Sequence, residues 1–243
     1  MMHPFLLATL KANEIIYDAL KDIHPEEWYH KNEIGAGGDI SSGFDLFAEK
    51  IFYEHLSHFG SIESEESGIM NGGKAKIIID PIDGSDNALS KFGYFGTSVA
   101  YINSDGVLEH AMVCNQATSE VFWTSTSKLP QYGKLFQNEW LPMELNNYSK
   151  IGIFERAYAY PDIVQVLHDN SIKFRSPGAL ALSLAYARWV DFVLFVGPFR
   201  IYDVAAGLAL CEGLEVIIQE DYAIVSKEKD IALKIEQIIN SIL

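Results

Sequence analysis

Apolar residues recur along the chain at spacings that predict both helices and strands. Residues 5–22 place Leu6, Leu10, Tyr17 and Leu20 on one helical face, which indicates an amphipathic helix packed on a core. Spacing and composition predict further helices at about residues 41–57, 161–168 and 179–188, from residue 201 onward, and at the C-terminus, where Ile231, Ile235, Ile238 and Ile242 share a face.

Short β-branched or apolar runs predict the strands. Runs in the middle of the chain are joined by polar turns, which favours an antiparallel sheet, whereas later runs alternate with helices, which indicates an α/β layer. Pro81 is expected to end the first strand at Asp80, because a proline cannot continue a central ladder. The predicted strands cover residues 77–79, 96–103, 108–114, 120–124, 151–154, 191–196 and 214–218.

The polar residues 146–150 separate these two patterns. We therefore predict an N-terminal α+β half over residues 1–146 and a C-terminal α/β half over residues 147–243, packed as one compact unit with the active site between them. The acidic run at residues 61–68 is, without further context, typical of an exposed loop, and residues 35–39 predict a glycine-rich loop before the second helix.

Composition and charge narrow the class of protein. The chain has 243 residues, of which 49% are apolar, so it can bury a substantial core, and no apolar run approaches the roughly 20 residues of a membrane span. The net charge of −15 disfavours nucleic acid backbones and anionic membranes as partners. The N-terminus lacks signal-peptide features, and Cys114 and Cys211 are predicted to be buried free thiols. We expect a cytoplasmic protein.

The chemistry is concentrated just after the strand predicted at residues 77–79. Asp80 and Asp83 place two carboxylates there, Gly84 permits a sharp turn, and Ser85 is a good first residue for a helix. Carboxylates bind hard cations, and the N–H groups that open a helix bind phosphate oxygens. An Asp-Gly pair alone is usually a surface turn, but the whole stretch predicts a metal-assisted phosphate site, in which bound cations would offset the acidic charge.

This stretch, D-P-I-D-G-S, resembles the signature D-P-[IL]-D-G-[ST] of the inositol monophosphatase family of metal-dependent phosphatases. Each of the other matching segments has an ordinary explanation when taken alone, such as an acidic loop or a helix cap, but together and in order they favour the family. Residues 39–45 resemble D-x-x-T-x-x-D, residues 64–67 resemble G-E-E-[ST] with Ser for Gly, residues 175–181 resemble R-S-x-G-[ST]-A-A, and residues 202–207 resemble W-D-x-A-[AG]-[AG] with Tyr for Trp.

The resemblance implies a layered αβαβα sandwich of the sugar phosphatase type and a role for each matched residue. The implied metal ligands are Glu65, Asp80, the Ile82 carbonyl, Asp83 and Asp203. The implied catalytic residues are Asp45 and Ser85, which would orient the attacking water, and Glu66, which would lie in or beside the metal shell. The implied substrate-binding residues are Gly84, Ser85, Gly178, Ala179 and Leu180, and Arg200 is added to them from its position just before Asp203 and not from a motif.

The implied activity is hydrolysis of a phosphate monoester by a metal-activated water. The resemblance implies two or three Mg²⁺ ions, with Mn²⁺ as a substitute and Li⁺ and Ca²⁺ as inhibitors, and a homodimer that acts on a small-molecule phosphate ester. Neither cysteine lies in a motif and no histidine occurs in these segments, so no protein nucleophile is expected.

The substrate is less well defined by the sequence. Family members specific for inositol phosphates carry a glutamate shortly before W-D-x-A, whereas residues 194–198 here are L-F-V-G-P, whose apolar side chains, Phe195 among them, can still pack against the apolar face of a sugar. The form D-G-S-x-N resembles fructose-1,6-bisphosphatases, and Arg200 is either a contact to a second phosphate or a surface residue. Inositol or sugar phosphates are the expected substrates. Fructose-1,6-bisphosphatase, phosphoadenosine phosphate phosphatase and a non-catalytic binding module remain alternatives, the last disfavoured by the complete carboxylate set.

Overall fold

The computed structural model describes residues 2–20, 26–29, 31–38, 40–126, 128–137 and 139–242. The helices in these ranges are α1 (Pro4–Leu20), α2 (Gly43–Leu56), α3 (Ser85–Leu89), α4 (Pro161–Asp169), α5 (Leu180–Ala185), α6 (Ile201–Ala209) and α7 (Lys229–Asn240), with single 3₁₀ turns at Glu26–Tyr29 and Ala157–Ala159. The strands are β1 (Lys31–Ile34), β2 (Ile40–Ser42), β3 (Ser61–Ser64), β4 (Gly68–Ile69), β5 (Lys76–Asp83), β6 (Gly96–Ile102), β7 (Leu108–Asn115), β8 (Glu120–Ser125), β9 (Gln131–Lys134), β10 (Leu141–Pro142), β11 (Gly152–Glu155), β12 (Phe174–Arg175), β13 (Phe192–Val196), β14 (Glu215–Ile218) and β15 (Tyr222–Ser226).

Two sheets carry most of these strands. The larger has eight strands in the order β10-β9-β8-β7-β6-β5-β3-β4, and it is antiparallel except where β3 pairs parallel with β5. The smaller has five strands in the order β12-β11-β13-β15-β14, with β11 parallel to both of its neighbours. The remaining strands, β1 and β2, form a separate antiparallel hairpin. The predicted antiparallel meander in the middle of the chain is therefore confirmed.

The two sheets and the helices stack in five layers. Ile77 and Ile79 of β5 face α1 and α2, whereas Ile78 between them faces α5 and α6, so this run of isoleucines is buried on both sides of the sheet. Helices α5 and α6 also cover the smaller sheet through Val193, and Leu194 on its far face packs against α4 and α7. The layers read α-β-α-β-α, which confirms the predicted fold class.

The strand that carries the predicted chemistry is longer than the sequence indicates. β5 continues through Asp80 and Pro81 to Asp83, so the prediction that it ends at Asp80 is wrong. Asp80 pairs with Ser98 and Asp83 pairs with Gly96, which leaves one extra residue on β5 and defines a bulge. A proline is tolerated at a bulge because no ladder N–H is needed there. Both aspartates consequently lie on one continuous strand of the central sheet.

Other segments also differ from expectation. Residues 61–64 form β3 instead of part of an exposed loop, because they pair with β5, and β15 was not predicted. Helix α5 ends at Ala185, earlier than predicted, and residues 21 and 22 of the first predicted helix lie outside the described ranges. Cys114 and Cys211 are buried free thiols, as predicted.

The larger sheet uses residues 61–142 and the smaller sheet uses residues 152–226, and the division of the chain into two packing units at residue 146 stays a prediction. None of the helices in the described ranges has both the length and the apolar character needed to cross a membrane.

The small sheet depends on a close contact at Gly152, at the start of β11. A Cβ at this position would overlap the ring of Phe192, which is fully buried and cannot move aside. Replacing Gly152 by Ala is therefore expected to lower the free energy of unfolding by about 1–3 kcal/mol, the usual effect of overpacking a core. Urea denaturation measures this change. Gly72→Ala is the matched control, because no atom lies within 4 Å of a Cβ at residue 72. An equal loss of unfolding free energy in both variants would show that the close contact with Phe192 is not the cause.

Candidate metal and phosphate site

Strand pairing and one helix start bring three carboxylates together. Glu65 directly follows β3, and its N–H donates to the Ile79 carbonyl at 3.1 Å, so it lies beside the next residue of β5, Asp80. Asp203 lies in the first turn of α6, which packs on β5 and β6. Carboxylate oxygens of Glu65, Asp80 and Asp203 all lie within 4.8 Å of one another. We call these three residues the carboxylate cluster.

The electrostatics of the carboxylate cluster favour a cation. Burial, followed by the charges of Glu65, Asp83 and Asp203, raises the pKa of Asp80 well above its usual value. Burial likewise raises the pKa of Asp83. Adjacent carboxylates in a buried place repel one another unless protons or a cation neutralise them. An all-oxygen donor set of this kind fits Mg²⁺ or another hard divalent cation.

Two of the predicted metal ligands are engaged in hydrogen bonds. Asp83 accepts the Leu182 N–H at 2.7 Å through Oδ2, and it does not belong to the group of described carboxylates within 4.8 Å of one another. The Ile82 carbonyl accepts the Ser85 hydroxyl at 2.9 Å. The structure therefore places both residues at the edge of the carboxylate cluster, and their roles as ligands stay predictions.

Asp45 and Ser85, which are distant in sequence, are in direct contact. The Ser85 hydroxyl lies 2.6 Å from Asp45 Oδ1. The other oxygen of Asp45 accepts the Ser42 N–H at 2.8 Å and the Ser42 hydroxyl at 2.6 Å, and this capping box fixes the start of α2. Burial is the largest influence on Asp45 and raises the pKa of its carboxyl, while these hydrogen bonds oppose the rise. Asp39, the first residue of the matched segment, lies outside the described residues.

Glu66 lies beside the carboxylate cluster under the loop that joins β1 to β2. Its Oε2 accepts the Ser41 hydroxyl, and burial raises the pKa of its carboxyl to about 7. The loop is fixed by backbone hydrogen bonds, since Ala36 N–H donates to the Glu66 carbonyl at 2.8 Å and Gly37 N–H donates to the Glu65 carbonyl at 2.6 Å. The glycine-rich loop predicted from the sequence thus covers both glutamates.

Arg200 lies against the carboxylate cluster and is not a free surface residue. Its Nη2 is 2.8 Å from Glu65 Oε1, and its Nε is 3.1 Å from Asp203 Oδ2. Its Nη1 donates to the Gly37 carbonyl at 2.9 Å. The alternative that Arg200 is only an exposed residue is therefore wrong, although a contact to a substrate phosphate stays a prediction.

The predicted substrate-binding turn at residues 177–180 contacts the residues that follow β5, Gly84 and Asn87. Gly84 has φ +87°, and a Cβ there would lie 3.0 Å from the Ala179 Cβ and 3.1 Å from the Gly178 carbonyl oxygen. Asn87 Nδ2 donates to the Pro177 carbonyl at 2.7 Å. Leu180, the first residue of α5, is buried next to this turn. The structure thus joins residues 84–87 to residues 177–180, from opposite halves of the sequence.

Phe195 does not have the environment expected for a sugar contact. Its side chain is only 6% exposed, and it packs in the core with Leu180 and Val204. The Arg156 guanidinium lies 6.0 Å from the centre of its ring. The expectation that the ring presents a face to a sugar is therefore wrong, because the smaller sheet and the helices α5 and α6 bury it.

Comparison with known proteins agrees with this geometry. The sequence profile of the inositol monophosphatase family matches residues 5–215, which is most of the chain. The chain belongs to the inositol monophosphatase family. This confirms the predicted resemblance and assigns the chain to a family of metal-dependent phosphatases of small phosphate esters, as predicted.

Individual members of the family are distant in sequence. The bifunctional NADP phosphatase/NAD kinase of Methanococcus maripaludis is 26% identical over 264 residues, which cover 95% of this chain and 45% of that protein. This chain therefore spans less than half the length of that relative. The fructose-1,6-bisphosphatase of Pyrococcus furiosus is 25% identical over 195 residues, which cover 77% of this chain and 73% of that protein. The structure of an IMPase from Thermotoga maritima superimposes with a TM-score of 0.78 at 20% identity, over 98% of this chain and 99% of that one, and shows the shared fold.

In this inositol monophosphatase family member, one buried carboxylate near the site was not found by sequence reasoning. Glu155, at the end of β11, is 2% exposed, and burial raises the pKa of its carboxyl. It accepts the Gly178 N–H at 2.8 Å, the Ala179 N–H at 3.4 Å and the Ser183 hydroxyl. Glu155 therefore holds the turn that contacts Gly84. No sequence signal points to Glu155, since a lone glutamate at the end of a short strand has no motif around it.

Replacing Glu155 by Gln is expected to lower kcat/KM for phosphate ester hydrolysis by roughly tenfold or more. The glutamine amide has the same size as the carboxylate, but its NH₂ group donates hydrogen bonds instead of accepting them. At least one of the buried donors that Glu155 now accepts from would lose its acceptor, which costs about 1–3 kcal/mol. Steady-state kinetics measures the loss, and circular dichroism checks that the variant folds. Glu120→Gln is the matched control, because its carboxylate also accepts a hydroxyl, that of Tyr186 at 2.6 Å, but lies outside the turn. Kinetics of the Glu155 variant within twofold of the parent would contradict this role.

Proposed function

We propose that the chain is a Mg²⁺-dependent phosphate monoester hydrolase that acts on inositol or sugar phosphates. The observation that carries this proposal is the carboxylate cluster of Glu65, Asp80 and Asp203, which lies close in the fold to the Asp45–Ser85 pair. Arg200 pairs with Glu65 and Asp203, but one positive charge does not balance three adjacent carboxylates, so a further cation is favoured there.

The carboxylate cluster would hold the metal, with Asp83 and the Ile82 carbonyl as further ligands. When bound, Mg²⁺ ions lower the pKa of a water molecule and stabilise negative charge on the phosphoryl oxygens. We propose two or three ions, with Mn²⁺ as a substitute and Li⁺ and Ca²⁺ as inhibitors, as the family resemblance implies. The homodimer and the cytoplasmic location stay predictions.

The Asp45–Ser85 pair would orient the attacking water. Two acceptors lie close to the Ser85 hydroxyl, namely Asp45 Oδ1 at 2.6 Å and the Ile82 carbonyl oxygen at 2.9 Å. The hydroxyl proton is therefore directed toward these oxygens. The lone pairs of Ser85 Oγ then remain to accept a proton of the water, and the water directs its own lone pair at phosphorus. Asp45 thereby fixes the direction of the hydroxyl.

Backbone groups of the same motif would contact the phosphate. Gly84 is in the left-handed conformation and directly precedes α3, so the N–H groups of Ser85 and Asp86 have no carbonyl one turn earlier in the helix, whereas Asn87 N–H donates to the Gly84 carbonyl at 3.0 Å. We propose that the N–H groups of Gly84 and Ser85 donate to phosphoryl oxygens, and that the turn at residues 178–180 borders the alcohol part of the substrate. Arg200 would reach a phosphate group from the opposite side.

The strongest competing substrate is fructose 1,6-bisphosphate. Two observations favour it, namely the absence of a glutamate at residues 194–198 and the arginine directly before α6. A relative described as fructose-1,6-bisphosphatase matches 77% of the chain. Phosphoadenosine phosphate is a further candidate, and the relative described as an NADP phosphatase adds nucleotide 2′-phosphates to the substrates worth testing.

Phosphate release is expected to require Mg²⁺ and to disappear with EDTA, because four carboxylates occupy the matched metal-ligand positions and neither cysteine nor histidine occurs in the matched segments. The assay is a screen of inositol monophosphates, fructose 1,6-bisphosphate, other sugar phosphates, phosphoadenosine phosphate and NADP. Asp83→Asn is the inactive control, since an amide oxygen can still accept the Leu182 N–H while the charge is lost. Full activity in a metal-stripped sample would refute the metal mechanism, and parental activity in Asp83→Asn would make Asp83 only a turn residue.

Sugar phosphates or a bisphosphate are expected to be hydrolysed at least as well as inositol monophosphate. A site that accepts hydrogen bonds from ring hydroxyls discriminates through those bonds, and Phe195 offers no acceptor because it is apolar and buried. Comparison of kcat/KM across the screen tests this expectation. A preference of about 100-fold for inositol monophosphate, which is roughly what a strong differential contact gives, would refute it.

A further inference from the structure

Arg200 shares its acceptors with the carboxylate cluster. Its guanidinium forms a two-point pair with Asp203, in which Nε is 3.1 Å from Oδ2 and Nη2 is 3.1 Å from Oδ1. The same Nη2 lies 2.8 Å from Glu65 Oε1. Two of the three carboxylates that would hold a metal are therefore already bound to a cation that belongs to the chain.

The position of this guanidinium is well defined by its surroundings. The Gly37 carbonyl accepts from Nη1 at 2.9 Å, and a Cβ at Gly37 would lie 2.9 Å from that nitrogen. About two thirds of the Arg200 side chain is covered, since it is 34% exposed. The loop between β1 and β2 thus holds the guanidinium against Glu65 and Asp203.

The guanidinium and a metal ion both supply positive charge to the same carboxylates, Glu65 and Asp203. An arginine is charged at every pH a protein meets, and its planar fork matches a carboxylate at two points. Mg²⁺ takes oxygen ligands, several of them water molecules, in a near-ideal octahedron at short distances. Oxygens that accept hydrogen bonds from Nε and Nη2 have fewer lone pairs left for a metal, and the positive charge of the guanidinium repels a second cation a few ångströms away.

We propose that Arg200 is a tethered counter-cation that competes with Mg²⁺ for Glu65 and Asp203, and thereby sets the Mg²⁺ concentration at which the site fills. This inference rests on the proposed metal-dependent function and deepens it. In the metal-free protein Arg200 offsets part of the negative charge of the carboxylate cluster through Glu65 and Asp203, and on metal binding it leaves at least one of these two carboxylates.

The test is isothermal titration of Mg²⁺ into the EDTA-treated full chain at constant ionic strength. Arg200→Gln is expected to bind the tightest Mg²⁺ about tenfold more tightly than the parent, which corresponds to about 1.4 kcal/mol. Arg200→Lys is expected to fall between the two, because it keeps the charge but loses the two-point pair. Lys50→Gln is the matched control for net charge, since its amine lies 4.0 Å from Glu54 on the exposed face of α2, and it should leave the Mg²⁺ affinity unchanged.

Thermal unfolding separates this role from that of an ordinary ion pair. Arg200→Gln should unfold at a lower temperature than the parent without Mg²⁺, because the carboxylates lose their counter-charge, and at the same temperature in saturating Mg²⁺. A Tm that is lowered equally in both conditions, or a Mg²⁺ affinity that is unchanged or weaker, would overturn the inference.

Two further outcomes are distinguishable. If Arg200→Gln does not fold without Mg²⁺, the Mg²⁺ affinity of Arg200→Lys tests the inference instead. Tighter Mg²⁺ binding by Arg200→Lys than by the parent supports competition, and equal or weaker binding overturns it. If the parent itself binds no Mg²⁺, the proposed function fails and this inference fails with it. Binding by the parent without tightening in either Arg200 variant overturns this inference alone.

Discussion

Repulsion among buried carboxylates is the constraint on which the site depends. Oxygens of the buried Glu65 and Asp80 and of the half-buried Asp203 lie within 4.8 Å of one another, and Asp83 adds a further buried acid beside them. Their proximity follows from backbone geometry, because the parallel pairing of β3 with β5 fixes Glu65 beside Asp80 and the start of α6 adds Asp203. Such an arrangement persists only where the rest of the fold over-determines it. The rigid eight-stranded sheet and the helices packed on both of its faces provide that support.

The protein handles buried negative charge near this site in two different ways. Glu65 and Asp203 face the guanidinium of Arg200, which is a full opposite charge. Glu155 and Asp45 are instead surrounded by neutral donors, namely backbone N–H groups and serine hydroxyls. Neutral donors fix the direction of a carboxylate without competing with a cation for it. This difference fits the division of roles that we propose, with metal affinity set at Arg200 and geometry set at Glu155 and Asp45.

The site also joins segments from the two halves of the sequence. Leu182 N–H donates to Asp83, Asn87 donates to the Pro177 carbonyl, and Gly84 lies directly against Ala179. A side chain at residue 84 would separate these segments, so the glycine is required by close approach as well as by its positive φ. Any shift of α5 relative to β5 would therefore reach the proposed metal ligands and the proposed phosphate-binding turn together.

The sequence by itself determined the family, the layered fold class and most of the residues that meet at the site, since each signal is local. The D-P-I-D-G-S stretch, the paired glutamates and the Y-D-x-A-A-G segment each place their chemistry within a few residues. Only the tertiary structure decided what pairs across the chain. Local propensity ends a strand at Pro81, but the bulge opposite Ser98 and Gly96 carries β5 on to Asp83. In the sequence Phe195 is a candidate ligand contact, but the packing of α5 and α6 on the smaller sheet buries it. Glu155 has no motif, and Arg200 reads equally as surface or site. Their roles depend on which distant acceptors and donors the fold brings to them, and no local pattern encodes those distances.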